Sequence, residues 1–274
     1  QQGARIWTQV HSREINSILS FETATPFDNW DVWKEFRALP IEEQLHKLKT
    51  DPALKQKLID IADKPYEGPE IVGAEARPPE WDMFYYMDKI RLPHPSVAEI
   101  GRERGLSPAA AMIELAIEND FKAFFRQPLA NENQDDALAL MKHPRSTVTF
   151  SDSGAHVSQI MDSSLQTHLL SHWVREREAF TLEEAVRMIT YETSTNWGFH
   201  DRGLLREGLT ADITVFNPDT VEPRMPEVVH DLPSGSKRLK QYADGMLATV
   251  VAGHVVLKEN EHTGALPGQL LRGP

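Results

Sequence analysis

The order of strands and helices is the feature that most restricts the fold of this chain. A strand is predicted at Arg5–Val10, helices follow, and a second strand is predicted at Thr147–Phe150. From about residue 203 the pattern changes to short stretches with period two, such as Asp212–Phe216. Alternating strands and helices followed by short antiparallel strands predict an α/β layer over residues 1–202 and a small β domain over residues 203–274.

The segment between the two predicted strands begins with a long irregular stretch, about residues 16–95, that is dense in proline, tryptophan and charge. Such a stretch inside a compact domain is typical of a functional lid or an inserted subdomain. Helices are predicted within it at Ile41–Leu48 and Pro52–Ala62. Beyond it, Ser96 and Ser107 are predicted to cap two further helices.

Two later motifs also predict local structure. Thr181 and Glu184 have the spacing of a capping box at the start of an amphipathic helix. Leu247–Val251 and Val255–Lys258 are separated by a short turn sequence that begins Ala252-Gly253. This arrangement predicts a β-hairpin in the small β domain.

The composition argues against several classes of function. The net charge of −12 disfavours a nucleic-acid or anionic-membrane surface as the main partner. No apolar run approaches the roughly 18–20 residues of a membrane span, and no signal-peptide pattern opens the chain. Because the chain has no cysteine, we expect no disulfide and no thiolate chemistry, and a cytoplasmic location. The chain begins Gln1-Gln2-Gly3 without methionine, so we expect a processed chain or a piece of a longer one.

Several common catalytic motifs are absent from the sequence. It contains no G-x-S-x-G elbow, no P-loop, no G-x-G-x-x-G turn and no H-E-x-x-H helix. The serine-hydrolase, nucleotide-binding and dinucleotide-binding interpretations therefore lose their main support.

The stretch STVTFSDSGAH, residues 146–156, contains the strongest functional candidate, Asp152. In α/β folds with parallel strands, functional side chains gather at the carboxyl ends of the strands. A carboxylate there can ligate a metal or accept a proton from a metal-bound water. The alternative is an Asp that caps the next helix or begins an Asx turn. His156, in the same loop, is either a ligand or a hydrogen-bonding group.

Three further residues are candidates from their spacing. Arg13 lies just past the first strand, so it could hold a substrate carboxylate, and a surface ion pair is the alternative. His168 and His172 are spaced i,i+4, which puts them on one helix face in a geometry that can bind Zn²⁺. No third ligand with a recognisable spacing accompanies them, so a structural role is favoured. The nearby Trp173 and Arg175 indicate an interface or a solvated face.

Several segments together resemble the D-aminoacylase group, the N-acyl-D-amino-acid deacylases of the amidohydrolase superfamily. These segments are STVTFSDSGAHVSQIMD, HLLSHWVRER, TLEEAVRMITYETSTNWGFHDRGLLREGLTADITVFNPDTV and YADGMLATVVAGHVVLKENEHTGALPGQLLR. The opening RIWTQVHSRE is similar to a late barrel strand of that group and the loop after it. The resemblance is specific from about residue 144 onward and looser before it.

The resemblance implies a (β/α)₈ TIM-like barrel with a metal centre at the carboxyl ends of its strands, together with a small β-sandwich domain. It implies that a zinc-activated water hydrolyses the amide bond of an N-acyl amino acid. The family has an Asp after its last barrel strand that faces or ligates the metal and shuttles the proton, and this position matches Asp152. His156 and Arg13 are then secondary candidates for substrate contacts.

The chain departs from the family pattern because it lacks most of the family's metal ligands. The family has an early H-x-H pair, and this sequence contains no H-x-H. Roughly two or three strands can be counted here, against about eight in a complete barrel. We therefore expect the later part of a barrel without its amino-terminal strands. The other zinc ligands would lie on an amino-terminal portion or on a separate partner chain.

The main hypothesis is a zinc-dependent amidohydrolase, a deacylase that is incomplete as this chain alone. One alternative is hydrolysis of a cyclic amide, as in dihydroorotases and hydantoinases. The other is a non-catalytic scaffold subunit that keeps the half-barrel for assembly. The expected partners are a small N-acyl amino acid, the complementary amino-terminal portion or chain, and further copies in an oligomer. Neither nucleic acid nor membrane is expected as a partner.

Overall fold

The structure is a computed structural model that describes residues 6–66, 78–149, 151, 157–159 and 162–272. In these ranges strands and helices are mixed up to about residue 200, and short strands dominate after it. None of the helices in these ranges is long and apolar enough to cross a membrane.

The elements follow one another in an α/β order before they become purely β. The first are β1 (Thr8–Val10), β2 (Ile15–Leu19), α1 (Asp31–Arg37), α2 (Ile41–Thr50), α3 (Pro52–Ala62), β3 (Tyr85–Met87), α4 (Val97–Arg104), α5 (Pro108–Glu118), β4 (Phe124–Ala130), α6 (Gln134–Met141) and β5 (Ser146–Val148). The next are α7 (Leu165–His168) with a π-helical continuation (Leu169–Glu176), and α8 (Leu182–Arg187) with a π-helical continuation (Met188–Glu192) into α9 (Thr193–Asn196). The last are β6 (Ile213–Phe216), β7 (Glu222–Pro223), β8 (Glu227–Val229), β9 (Arg238–Lys240), β10 (Ala243–Asp244), β11 (Met246–Val251), β12 (His254–Lys258) and β13 (Glu261–His262).

β1 and β5 form a parallel pair, with Thr8 opposite Ser146 and Val10 opposite Val148. A parallel pair needs a crossover connection, and α6 packs against both strands just before β5. Val10 and Val148 are buried in one hydrophobic cluster with α6 and the helices after β5. The strands predicted on either side of the long segment are therefore confirmed within the described residues.

Between β1 and β5, a three-stranded antiparallel sheet in the order β2–β4–β3 lies with helices α1–α5. This part has its own core, in which Trp33, Phe27 and Leu58 are fully buried. The insertion predicted at about residues 16–95 lies within this segment. β4 continues the segment to Ala130, because it pairs with both β2 and β3.

The predicted helix starts are confirmed. Ser96 and Glu99 cap α4 reciprocally through side chain and backbone, and Thr181 and Glu184 do the same for α8. Ser107 caps α5 and is followed by a proline at the first helical position. Each cap satisfies backbone N–H groups that have no partner within the helix, which is why the helices begin where the sequence predicts.

The residues after about 203 form short antiparallel sheets, one of them four-stranded in the order β13–β12–β11–β6. The predicted hairpin is β11–β12, and Ala252 and Gly253 both have positive φ, 47° and 80°. Two-residue hairpin turns of this type require that conformation. On one face of the four-stranded sheet, Val215 lies opposite Ala248 and is 44% exposed. That apolar face is therefore only partly covered by the described residues.

The α/β character predicted from the sequence is confirmed. Within the described ranges the parallel part is a two-stranded sheet. A complete (β/α)₈ barrel, the β-sandwich and the division of the chain at residue 202 stay predictions.

Candidate functional site

The carboxyl ends of β1 and β5 define the edge where functional side chains are expected. Val10 and Val148, the last residues of the two strands, are paired. The segments that continue from them, beginning at His11 and Thr149, therefore leave the sheet at the same edge. Asp152 and His156 both lie outside the described residues, so their roles stay predictions.

The segment after β1 is held by hydrogen bonds to the helix after β5. Ser12 Oγ donates to the carbonyl oxygen of Leu165 at 2.6 Å, and the Ser12 carbonyl accepts from Trp173 Nε1 at 2.5 Å. Arg13 Nη1 donates to Ser164 Oγ at 2.6 Å. These contacts hold Arg13 at the edge where the sequence predicted it.

Trp173 corrects one prediction. The sequence indicated an interface or a solvated face around this residue, but its side chain is fully buried. The prediction is wrong for Trp173 because its ring packs in the cluster that contains Val10 and Val148. Its N–H then needs a buried acceptor, which the Ser12 carbonyl supplies.

A buried arginine of the inserted segment reaches the residues after β1. Arg126, on β4, is 4% exposed and forms an ion pair with Glu14. Its Nε donates to His94 Nδ1 at 2.9 Å, and Nη1 donates to Asn16 Oδ1 at 3.4 Å. Its guanidinium also lies over the Tyr85 ring, 4.2 Å from the centroid. Arg126 therefore joins β3 and the loop before α4 to the end of the first parallel strand.

The electrostatics of this cluster keep His94 neutral. Because arginine has no acceptor, His94 Nδ1 carries the lone pair, and Nε2 donates to the Lys89 carbonyl at 2.8 Å. Burial and the charge of Arg126 lower the pKa of His94 to about 4. Burial raises the pKa of Glu14, although the charge of Arg126 opposes that rise. Burial likewise lowers the pKa of Arg126, and the charge of Glu14 opposes that change.

His168 and His172 lie on one helix face, as their spacing predicted, with ring centroids 4.9 Å apart and planes within 19°. His172 Nδ1 donates a hydrogen bond to a carboxylate oxygen of Glu176 at 3.2 Å. The Nε2 atoms of both histidines are buried and have no hydrogen-bond partner among the described residues. Burial lowers the pKa of both rings, that of His168 well below its usual range. In the described ranges, no group of three or more His, Asp or Glu side chains could hold a metal ion.

Two small cavities, of about 20 Å³ each, lie beside these residues. The first is lined by Arg13 and Arg126, and the second by His172, while His168 contributes to both. A larger groove of about 710 Å³ is lined by Trp7, just before β1, and by the start of β5. Its lining includes Val148 and residues of α6, α8 and α9 but not Arg13.

Comparison with known proteins identifies the family. The sequence profile of the Amidohydrolase family matches residues 86–257, which is more than half of the chain. This chain belongs to the amidohydrolase family. The family predicted from the SDSGAH loop and the carboxyl-terminal segments is therefore confirmed.

Curated relatives of this amidohydrolase chain are deacylases. An N-acyl-D-aspartate deacylase of Alcaligenes xylosoxydans xylosoxydans is 31% identical over 168 residues, which are 61% of this chain and 28% of the relative. An N-acyl-D-glutamate deacylase of the same organism is 32% identical over 157 residues, 49% of this chain and 28% of the relative. The chain thus spans less than a third of the length of these relatives.

A solved amidohydrolase structure gives a partial match. It is an N-acyl-D-glutamate deacylase from Bordetella bronchiseptica, complexed with zinc and with a phosphonate inhibitor that mimics the tetrahedral intermediate of its reaction. The two chains are 25% identical, with a TM-score of 0.44, and the match covers 71% of this chain and 38% of the other.

Two residues named from the sequence, Arg13 and His168, line the same cavity. Their site roles stay predictions. Glu14, His94 and Arg126, which line that cavity as well, were not predicted from the sequence. One signal was present, because Arg126 is a charged residue inside the aromatic strand sequence FFRQP, and a charge in such a strand is unusual unless it is paired.

The Arg126–Glu14 pair generates a stability prediction. Arg126→Met leaves the Glu14 carboxylate buried without its cation, and removal of one partner of a buried ion pair costs about 3–5 kcal/mol of unfolding free energy. Urea denaturation at neutral pH measures this loss. The double variant Arg126→Met/Glu14→Gln recovers part of it, because no buried charge remains. Arg102→Met, in an exposed pair with Asp82, is the control. Glu14→Gln alone completes the double-mutant cycle, and a loss in the double variant equal to the sum of the two single losses would show that the two side chains are not coupled.

The lowered pKa of His94 predicts a pH dependence of stability. The unfolded chain takes up a proton at His94 near its ordinary pKa of 6.5, whereas the folded chain takes it up only near pH 4. The contribution of His94 to the free energy of unfolding is therefore complete above pH 6.5, falls as the pH decreases, and is lost below pH 4. His94→Gln keeps an acceptor for Arg126 and a donor for Lys89 but does not titrate. Urea denaturation between pH 4 and 7 is expected to show a shallower fall in this variant, and an unchanged slope would contradict the assignment.

Proposed function

We propose that this chain is part of a metal-dependent enzyme that hydrolyses the amide bond of an N-acyl amino acid. The observation that carries the proposal is membership of the amidohydrolase family, with deacylases of acylated D-amino acids among its relatives. The parallel pairing of β1 with β5 supports it, because that pairing brings two segments with candidate residues to one edge.

Asp152 is the proposed proton shuttle and metal-facing residue. In the sequence it follows Val148, the last residue of β5, by four positions, so we expect it near the carboxyl end of that strand. In the proposed reaction its carboxylate accepts a proton from the attacking water. The water oxygen adds to the amide carbon, the C–N bond breaks, and Asp152 returns the proton to the leaving nitrogen. His156, four residues further on, is a proposed contact to the substrate.

The metal of this proposal would be Zn²⁺, as in the Bordetella bronchiseptica relative. A bound zinc ion supplies a Lewis acid that lowers the pKa of a water to about 7. The described residues contain no donor set for such an ion, so we propose that most ligands lie outside this chain. They would belong to the amino-terminal portion of the enzyme or to a separate complementary chain.

The need for such a portion is supported by the parallel pair. Parallel sheets occur almost entirely with more strands and with both faces covered, whereas β1 and β5 pair with each other alone among the described strands. Open edges of this kind are unstable unless another chain segment pairs with them. The complementary portion would both complete the sheet and bring the remaining metal ligands to its carboxyl edge.

Arg13 is the proposed anchor for the substrate carboxylate. Its guanidinium lies at the carboxyl edge and lines the small cavity with Arg126, while His94 and His168 are neutral there at pH 7. Arginine binds carboxylates with two parallel hydrogen bonds, so a substrate carboxylate is the group that we propose for this guanidinium.

Asp152→Asn tests the catalytic role in the assembled enzyme. Because an amide neither accepts nor returns the proton, we expect kcat to fall by a factor on the order of 10²–10⁴. Steady-state kinetics on an N-acyl amino acid measure it, with zinc content determined in parallel by elemental analysis. Asp60→Asn, on the exposed surface of α3, is the matched control. Near-normal turnover in Asp152→Asn would reject the assignment, and an assembled protein without zinc or turnover would favour the scaffold alternative.

Arg13→Gln tests the carboxylate anchor. Loss of a charge-assisted pair is expected to raise KM about 10- to 100-fold for an N-acyl amino acid, with a smaller effect on kcat. The control substrate is the same compound with its carboxylate replaced by a carboxamide, for which KM changes little. A similar rise in KM for both substrates would show that Arg13 does not bind the carboxylate.

A further inference from the structure

Residues 88–93, here called the strap, form a loop between β3 and the segment before α4, and its two flanks pair with each other, with Tyr86 N–H donating to the Pro95 carbonyl at 3.0 Å. Ile90 and Leu92 are half-buried, whereas Arg91 between them is exposed. This alternation turns two apolar side chains inward and one charged side chain outward. The strap is anchored behind by Met87, which pairs with β4, and ahead by His94, which accepts a hydrogen bond from Arg126.

The strap forms one wall of both small cavities. Ile90 and Leu92 line each of them, one above Arg13 and Arg126 and the other above His172. Each cavity has a volume of about 20 Å³. Pockets for small-molecule ligands are typically about 300–1,000 Å³. An N-acyl amino acid therefore does not fit into the cavity beside Arg13 unless part of the lining moves.

The strap has few backbone hydrogen bonds, and one of them is accepted by the Lys89 carbonyl from His94 Nε2 at 2.8 Å. Within the described part of the chain, no backbone N–H of residues 88–93 donates a hydrogen bond. The middle of the strap is attached through Arg91, which forms an ion pair with Glu222 on β7 and lies 3.6 Å from Glu176. Glu222 also accepts a hydrogen bond from Arg175 at 3.3 Å. The position of its carboxylate therefore does not depend on Arg91 alone.

These ion pairs suit a reversible closure. The Arg91 side chain is 56% exposed, and exposed ion pairs contribute little to stability and are screened by salt. They can therefore break without unfolding the two buried cores on either side. The other walls of the cavity, by contrast, contain the buried Arg126–Glu14 pair and the π-helix that carries Trp173.

We propose that residues 88–93 are a gate over the cavity that holds Arg13, and that Arg91 holds this gate shut through Glu222 and Glu176. Opening moves Ile90 and Leu92 away from Arg13, and closure after binding excludes water from the carboxylate contact. The functional meaning of the gate depends on the proposed role of Arg13, but its motion does not.

A cysteine placed under the strap measures the motion directly, because the chain has no cysteine of its own. Ser171 lines the second cavity and is 5% exposed. In Ser171→Cys, the rate of reaction with a small aromatic disulfide reports how often the strap opens. We expect slow reaction in this variant, and about 3- to 10-fold faster reaction when Arg91→Gln or Glu222→Gln is added. About 1 M NaCl should speed the reaction with Arg91 present and have less effect without it.

Two controls separate gate opening from general loosening. Ser17→Cys places a thiol on β2, where Ser17 is 1% exposed, and it reports opening of the inserted sheet. Its rate is expected to be insensitive to Arg91→Gln. Arg102→Gln removes an exposed ion pair with Asp82 elsewhere in the same segment and should leave the Ser171→Cys rate unchanged. Far-UV circular dichroism shows whether each variant keeps the parent fold.

The measurements test the gate and the proposed role of Arg13 independently. The gate is overturned if Arg91→Gln leaves the Ser171→Cys rate unchanged, or if the Ser17→Cys thiol accelerates to the same extent. An accelerated Ser171→Cys thiol together with an unchanged KM in Arg13→Gln supports the gate and rejects Arg13 as the anchor. A raised KM in Arg13→Gln with an insensitive Ser171→Cys thiol supports the anchor and rejects the gate.

Discussion

The parallel pairing of β1 with β5 is the constraint on which the rest of the structure depends. It joins residues that are 138 positions apart, as Thr8 and Ser146 are, and so requires everything between them to leave the sheet and return. The return is made by α6, and the excursion becomes a separate unit with its own sheet and core. The same pairing sets the edge at which the chain leaves β1 at His11 and leaves β5 at Thr149.

Arg126 connects the inserted segment to the residues at the carboxyl end of β1 through its ion pair with Glu14. A buried ion pair contributes little net stability, because the cost of removing both charges from water offsets their attraction. What the Arg126–Glu14 pair provides is a fixed orientation, since it is satisfied only when β4 lies in one register against β2 and Glu14 points inward. The inserted sheet and the residues beside Arg13 are thus held in one arrangement.

The parts of the structure that could be predicted from sequence are those decided by local interactions. The caps at Ser96, Ser107 and Thr181 depend on residues within one helical turn, and the β11–β12 hairpin depends on two turn residues. Arg13 was predicted at the edge because it follows a strand directly. Arg126 was missed because its role depends on strand pairing between segments about 110 residues apart. The strap was missed for the same reason, since Arg91 meets Glu222 only in the folded chain.

The separate core of the inserted segment also bears on the order in which the chain folds. Contacts between residues close in sequence form at a low cost in chain entropy, whereas β1 and β5 close a very long loop. The helices of the inserted segment, such as α4 and α5, are near neighbours in sequence and are therefore expected to become ordered early. The β2–β4 pairing joins segments about 110 residues apart, and it closes a loop that is nested inside the loop between β1 and β5. It then shortens the effective distance between the two strands. The insertion acts in this way as a folding scaffold for the edge on which the candidate site is built.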